Sequence, residues 1–110
     1  MSLRFDQSTS QRLRRALLRK GQAIATELAE LLAGTGKGVQ VAELPVSARK
    51  PGMRPEERLR AFLDHVEGCR QRLDADDDRF GRCTACQTDL GLVALTELPW
   101  ADRCAACGTN

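Results

Sequence analysis

Apolar positions recur with helical spacing in two long stretches of the chain. In "STSQRLRRALLRKGQAIATELAELLAG", residues 8–34, Leu17, Ile24, Leu28 and Leu31 follow one another at seven, four and three, and Gly21 holds the missing seam position. That 3.5-residue period predicts a helix lying along another helix. Ser8, Thr9 or Ser10 is the expected cap at its start, and Gly34 the expected stop. At 1.5 Å per residue the rod is roughly 36 Å long. In "RPEERLRAFLDHVEGCRQRLDADDDRF", residues 54–80, Leu59, Phe62, Val66, Cys69 and Leu73 form an unbroken heptad seam. Pro55 suits a first helical turn, and Glu56 and Glu57 suit the positive end of the helix dipole. Two matching seams and one connection predict an antiparallel hairpin.

The connection, residues 35–55, holds three Pro and three Gly and is too long for a minimal helix–helix turn. A functional or mobile loop is expected there, with Val39 and Val41 in a scrap of strand. "GTGKG" is not a phosphate loop, because the Gly-x-x-x-x-Gly-Lys-Ser/Thr spacing is absent and a helix precedes it.

Composition narrows the class. The 110 residues include three Phe, one Trp and no Tyr, which favours an aliphatic helical core over a sheet sandwich. No apolar run is long enough to span a membrane, and the first residues lack an apolar signal core, so a cytoplasmic location is expected. The net charge of +2 conceals an asymmetry: residues 1–55 carry +6 and residues 56–110 carry −4. Such runs are commonly solvated faces, and here they also give the chain a polarity that can orient a partner.

Chemistry concentrates at the end. Cys83 and Cys86 form one Cys-x-x-Cys pair, Cys104 and Cys107 another, with seventeen residues between. Two such knuckles brought together present four thiolates to one ion, the donor set of a structural Zn²⁺; an iron–sulfur cluster is the alternative ligand. A four-thiolate zinc has no open position, so it activates no water. A redox reading fails for want of a βαβ context. Metal binding of this kind supplies about 10–16 kcal/mol, enough to fold a short segment with little core. Arg82 and Arg103 precede the first cysteine of each pair, either offsetting the site's negative charge or facing solvent. Cys69, the fifth cysteine, reads as a small core residue, and His65 as a lone flank histidine. With a single His and no nucleophile–base pair, no enzyme is expected.

A helical hairpin, then Phe80-Gly81-Arg82-Cys83, then paired cysteines with a seventeen-residue spacer containing Leu90, Gly91, Leu95, Pro99, Ala101 and Asp102, resembles the DksA/TraR four-cysteine zinc-finger family of bacterial transcription regulators. The resemblance implies a mostly α fold, with a helical hairpin (coiled coil) at 8–79 and a small zinc-finger globule at 80–110. It also implies a protein partner, RNA polymerase, with the hairpin entering the secondary channel and the finger bracing at the rim. Several positions depart from the family. The acidic Asp-x-x-Asp-x-Ala tip pattern is missing, and residues 35–55 hold only Glu43 against Lys37, Arg49, Lys50 and Arg54. Gln87 stands where the family commonly has Gly, Val93 and Ala94 where it has arginines, and only three residues follow Cys107, so the family's final helix is not expected.

The expected function is a zinc-binding transcription regulator that contacts polymerase through hairpin and finger, with Lys37, Arg49, Lys50 and Arg54 as candidate partner-binding residues. The alternative is a zinc-stabilised protein-interaction module, alone or as a dimer, with Trp100 exposed or packed on the zinc globule. Direct nucleic-acid binding through Arg12, Arg14, Arg15, Arg19 and Lys20 is the least favoured, because these residues read as spread around the helix and aromatic stacking groups are scarce.

Overall fold

The computed structural model describes residues 5–35 and 44–107, in which helix α1 (Gln7–Leu32), a 3₁₀ turn (Val46–Ala48), helix α2 (Pro55–Asp74) and a short helix α3 (Leu92–Glu97) follow in order. The protein is mostly helical. The described residues contain no strand beyond a single antiparallel bridge between Arg82 and Asp89.

Local chemistry sets the helix ends. α1 starts before the expected serines, because the Asp6 carboxylate accepts the Thr9 N–H at 2.7 Å. That bond draws the Asp6 carboxyl below its ordinary range. At the other end Gly34 takes φ +87°. Its N–H reaches the Leu31 carbonyl (3.0 Å) and that of Thr35 reaches Glu30 (2.8 Å), which satisfies carbonyls the helix leaves unpaired. In α2 the Glu57 carboxylate accepts the backbone N–H of Arg54 at 3.1 Å. Only this half of a capping box forms, since an arginine side chain has no acceptor to return. Asp76, at φ +54°, closes α2 in the manner of Gly34, with Asp76 N–H to Leu73 and Asp77 N–H to Arg72.

The two seams meet. Leu13, Leu17, Gly21 and Ile24 of α1 and Leu59, Phe62, Val66 and Cys69 of α2 are buried against one another, with Leu28, Leu31 and Leu73 partly buried beside them. The pairing is antiparallel: Arg14 near the start of α1 bonds Asp74 at the end of α2 (3.0 Å), and Gly21 faces Leu63 and Val66. A Cβ on Gly21 would sit 3.5–3.9 Å from Glu67 Oε1, Leu63 and Val66. The interface there has room for a methyl at ordinary contact distance.

The connection behaves differently from a projecting tip over its described part. Leu44 and Ala48 are buried in the same core as the helix seams. The Arg58 guanidinium donates to the Ala48 carbonyl at 3.0 Å, and the Val46 N–H donates to the Asp102 carboxylate, also at 3.0 Å. Residues 44–48 therefore lie back along α2 as a strap that ends on the cysteine-bearing segment. Lys37, Glu43 and the strand expected at Val39 and Val41 lie outside the described residues.

The segment after α2 is held against the hairpin mainly by aromatic contacts. Trp100, 8% exposed, packs on Phe62 with ring centroids 5.6 Å apart, so it belongs to the joint with the hairpin and is not exposed. The Lys20 ammonium lies 5.1 Å from the Trp100 ring centroid and 5.5 Å from that of Phe62. His65 Nε2 sits 2.7 Å from the Trp100 carbonyl, which can only accept, so this nitrogen carries the proton. Among the described residues no helix is long and apolar enough to cross a membrane.

Two substitutions test this packing. Phe62→Ala removes a fully buried ring shared by the seam and the joint, and urea unfolding should show a loss of about 3–5 kcal/mol. Gly21→Ala should raise stability by about 0.5–1 kcal/mol, because alanine favours the helix and its methyl meets only ordinary contacts.

Candidate metal centre

Each cysteine pair lies on a tight turn whose backbone bonds fix the sulfurs. In the first knuckle the Cys83 N–H donates to the Thr88 carbonyl and the Gln87 N–H to Cys83, both at 2.9 Å. Gly81, at φ +73°, turns the chain into it, and its carbonyl accepts the Leu90 N–H. The second knuckle closes with the Cys107 N–H on the Cys104 carbonyl at 3.1 Å. Thr84 stitches the two together: its N–H and hydroxyl both donate to the Asp102 carbonyl, at 2.9 and 3.1 Å. Beneath them Leu95 of α3 is fully buried and Phe80 nearly so.

The result is a cluster of Cys83, Cys86, Cys104 and Cys107 whose sulfurs all lie within 4.8 Å of one another. Among the described residues no other group of three or more Cys, His, Asp or Glu side chains converges in this way. The Cys86 and Cys104 sulfurs are 3.7 Å apart. A tetrahedron with Zn–S arms of about 2.3 Å has edges of about 3.8 Å, so the donor set fits one zinc ion. A multi-iron cluster places its ligand sulfurs on different metals and needs a wider cage. The arrangement is that of a structural zinc finger with all four positions taken by sulfur.

The electrostatics favour a cation. Backbone N–H groups of Cys104, Cys86 and Ala85 point at the Cys83 sulfur and bring its pKa down to about 6 from the ordinary thiol value near 9. Cys86 is lowered by the Thr88 hydroxyl and N–H. Cys107, facing the other three sulfurs, is pushed up to about 12. The last proton is thus held mainly by hydrogen bonds from the Cys107 thiol to the other three sulfurs, with burial and the charge of Cys104 adding to it; a bound divalent ion takes that proton's place. The neighbouring arginines do not turn to the sulfurs in the contacts they make. Arg82 pairs with Asp78 (3.3 Å) and bonds its carbonyl, while Arg103 donates to the Thr84 hydroxyl at 3.1 Å.

A 57-residue stretch, 52% of this chain, is 35% identical to the RNA polymerase-binding transcription factor DksA of Haemophilus influenzae. The match spans 38% of that protein's length. No family model matches the chain, and no solved structure does. The sequence match and the four-sulfur cluster point the same way. The chain fits the DksA/TraR four-cysteine zinc-finger family.

Two family positions gain a physical account. Asp102, at the position shared with DksA/TraR fingers, is the residue that receives the strap through Val46. Gln87, where the family commonly has Gly, takes φ +66°, a left-handed conformation that costs a side chain energy and a glycine none. Sequence reasoning missed both the strap and the joint residue His65. The signals for them were the large aliphatic Leu44 directly before Pro45 in the loop, and a His on the same helix face as the seam.

Three outcomes are expected. Elemental analysis should find one zinc per chain, and Cys86→Ser should lose it together with the ordered finger. Gln87→Gly should relieve the strained turn and stabilise the finger by about 0.5–1 kcal/mol, read as a rise in melting temperature. Acid should release the metal. Because the Cys83 pKa is depressed, its contribution to the metal-free fold is complete above about 9 and disappears as pH falls through about 6. Protons also compete for the sulfurs, so a chelator should capture zinc faster in acid than at neutral pH.

Proposed function

We propose that the chain is a zinc-stabilised transcription regulator of DksA/TraR type that binds bacterial RNA polymerase in the cytoplasm through its hairpin and finger. Cys83, Cys86, Cys104 and Cys107 hold the zinc, which is structural. The observation that carries this reading is the coincidence of a convergent four-sulfur site with a stretch similar to a polymerase-binding factor. The zinc folds the finger, the finger is docked on α2 through Trp100, and together they present the hairpin as one body.

The candidate contact residues differ in what they offer. Lys50 is exposed and Arg49 half-buried at the end of the 3₁₀ turn. Arg54 is held by Glu56 and Glu57, at 3.3 and 3.1 Å, so much of its charge is already answered. The described loop thus offers cations where better-known relatives offer carboxylates. A cationic loop favours acidic protein surface and is repelled by a catalytic Mg²⁺. The proposed activity is therefore binding and positioning at the polymerase, without a carboxylate delivered to its metal.

A second reading, an interaction module that pairs with itself or another protein, draws on α3. Leu92 and Val93 are exposed there, Val93 by 79%, next to each other on the finger surface.

Zinc-loaded, tagged protein should retain core RNA polymerase from a bacterial extract at low salt. Reversing Arg49 and Lys50 to Glu should cut retention by roughly tenfold, as expected for lost charge contacts at an interface rim. Absence of polymerase, together with a dimer mass by light scattering that Val93→Glu abolishes, would favour the second reading.

A further inference from the structure

Five basic residues fall between Arg12 and Lys20, and no acid occurs between Asp6 and Glu27. Together they wrap around much of α1, as their spacing predicts, but they do not all meet the same surroundings. Arg14 turns to Asp74, and Lys20 lies over the rings of Phe62 and Trp100. Arg12, Arg15 and Arg19 instead line one groove, closed on its far side by Thr96 of α3 and by Pro99, with Leu13 and Ala16 as its floor. The groove encloses about 240 Å³. At 100° per residue the three arginines fall within about 60° of one another around the helix. They are exposed, and among the described residues none of them forms a direct ion pair with a carboxylate. Arg12 feels the Asp6 carboxylate through space and makes one long contact, 3.5 Å, to the Thr9 hydroxyl, while Arg15 and Arg19 answer no carboxylate among the described residues.

We propose that this groove binds the phosphodiester backbone of a nucleic-acid strand, independently of sequence. Their spacing fits a repeating anion. Successive arginines rise about 4.5 and 6 Å along the helix axis, one guanidinium for each successive phosphate within side-chain reach. Each guanidinium presents a planar fork of donors to phosphate oxygens. Base reading is not provided for. Phe62, Phe80 and Trp100 are buried and Phe5 is half-buried against Phe80, so no fully exposed ring is offered for a base to stack on. The groove lies outside the cysteine cluster and the strap, so strand binding does not require the polymerase contact proposed above.

The test uses the full, zinc-loaded chain and fluorescence anisotropy with a short labelled duplex of mixed sequence and the corresponding single strand. Three phosphate contacts should give log K against log salt a slope of about −2.7 on duplex and about −2 on the single strand. The triple variant Arg12→Gln, Arg15→Gln, Arg19→Gln should lose most of that slope, and each single variant about one contact's share. Arg60→Gln, at an exposed position on α2, should leave it unchanged. Circular dichroism and zinc content of each variant confirm the fold. Replacing the three arginines by lysine should restore the slope. Equal slopes for parent and triple variant would overturn the proposal. So would a triple variant that loses polymerase retention while binding both nucleic acids as the parent does, which would assign the groove to an acidic protein surface. Loss of nucleic-acid binding with polymerase retention intact would support the groove and leave the polymerase reading standing.

Discussion

Four sulfurs within 4.8 Å of one another form an arrangement that a short segment cannot hold by packing alone. Once ionised they repel, and before that the most crowded of them keeps its proton well into the alkaline range. Leu95, Phe80 and Trp100 are the large side chains buried on this side of the molecule, too few to offset that repulsion. A divalent cation reverses the sign of the dominant force and turns the cluster into the organising centre of residues 80–107. The hairpin has the opposite character. Its seam of Leu, Ile, Phe and Val is held by burial and does not depend on the ion. Trp100 joins these two differently stabilised parts, with its ring on the hairpin and its carbonyl on His65.

Much of this was legible in the sequence, for identifiable reasons. Heptad spacing is a local property, so Leu17, Ile24, Leu59, Phe62 and Val66 announced both helices and the face each would bury. Cys-x-x-Cys is local too, and a pair of them needs only one fold-back to converge. What escaped the reading was one local choice, the cap of α1, and otherwise contacts between distant residues. Asp6 replaced the serines as cap because it stands where its carboxylate reaches the Thr9 N–H. Trp100 could have faced solvent, zinc globule or hairpin, and only the position of Phe62 decides among them. The arginines of α1 are a sharper case. Positions 12, 15 and 19 share a helix face, but it takes Thr96 and Pro99, eighty residues on, to turn that face into a groove.

The connection between the helices shows how loop composition can mislead. Three prolines and three glycines suggest a segment without a fixed place. Yet Leu44 and Ala48 are as buried as the helix seams: Leu44 enters the core just before Pro45, and the 3₁₀ turn that follows presents Ala48, whose carbonyl Arg58 takes up. Short apolar anchors of this kind carry no periodicity, so pattern-based reading passes over them.

Asp102 has a consequence that extends beyond its own bond. It stands two residues before Cys104, its backbone carbonyl is gripped by Thr84 of the other knuckle, and its carboxylate holds the N–H of Val46. The interhelical strap and the sulfur cage therefore share a residue, and ordering one lowers the entropy cost of ordering the other. Thermodynamic reciprocity makes that coupling run both ways: whatever grips the strap tightens the cage, and a cage emptied of its ion loosens the strap. Metal supply would then set how well the interhelical surface is presented, and an occupied surface would slow the loss of the ion.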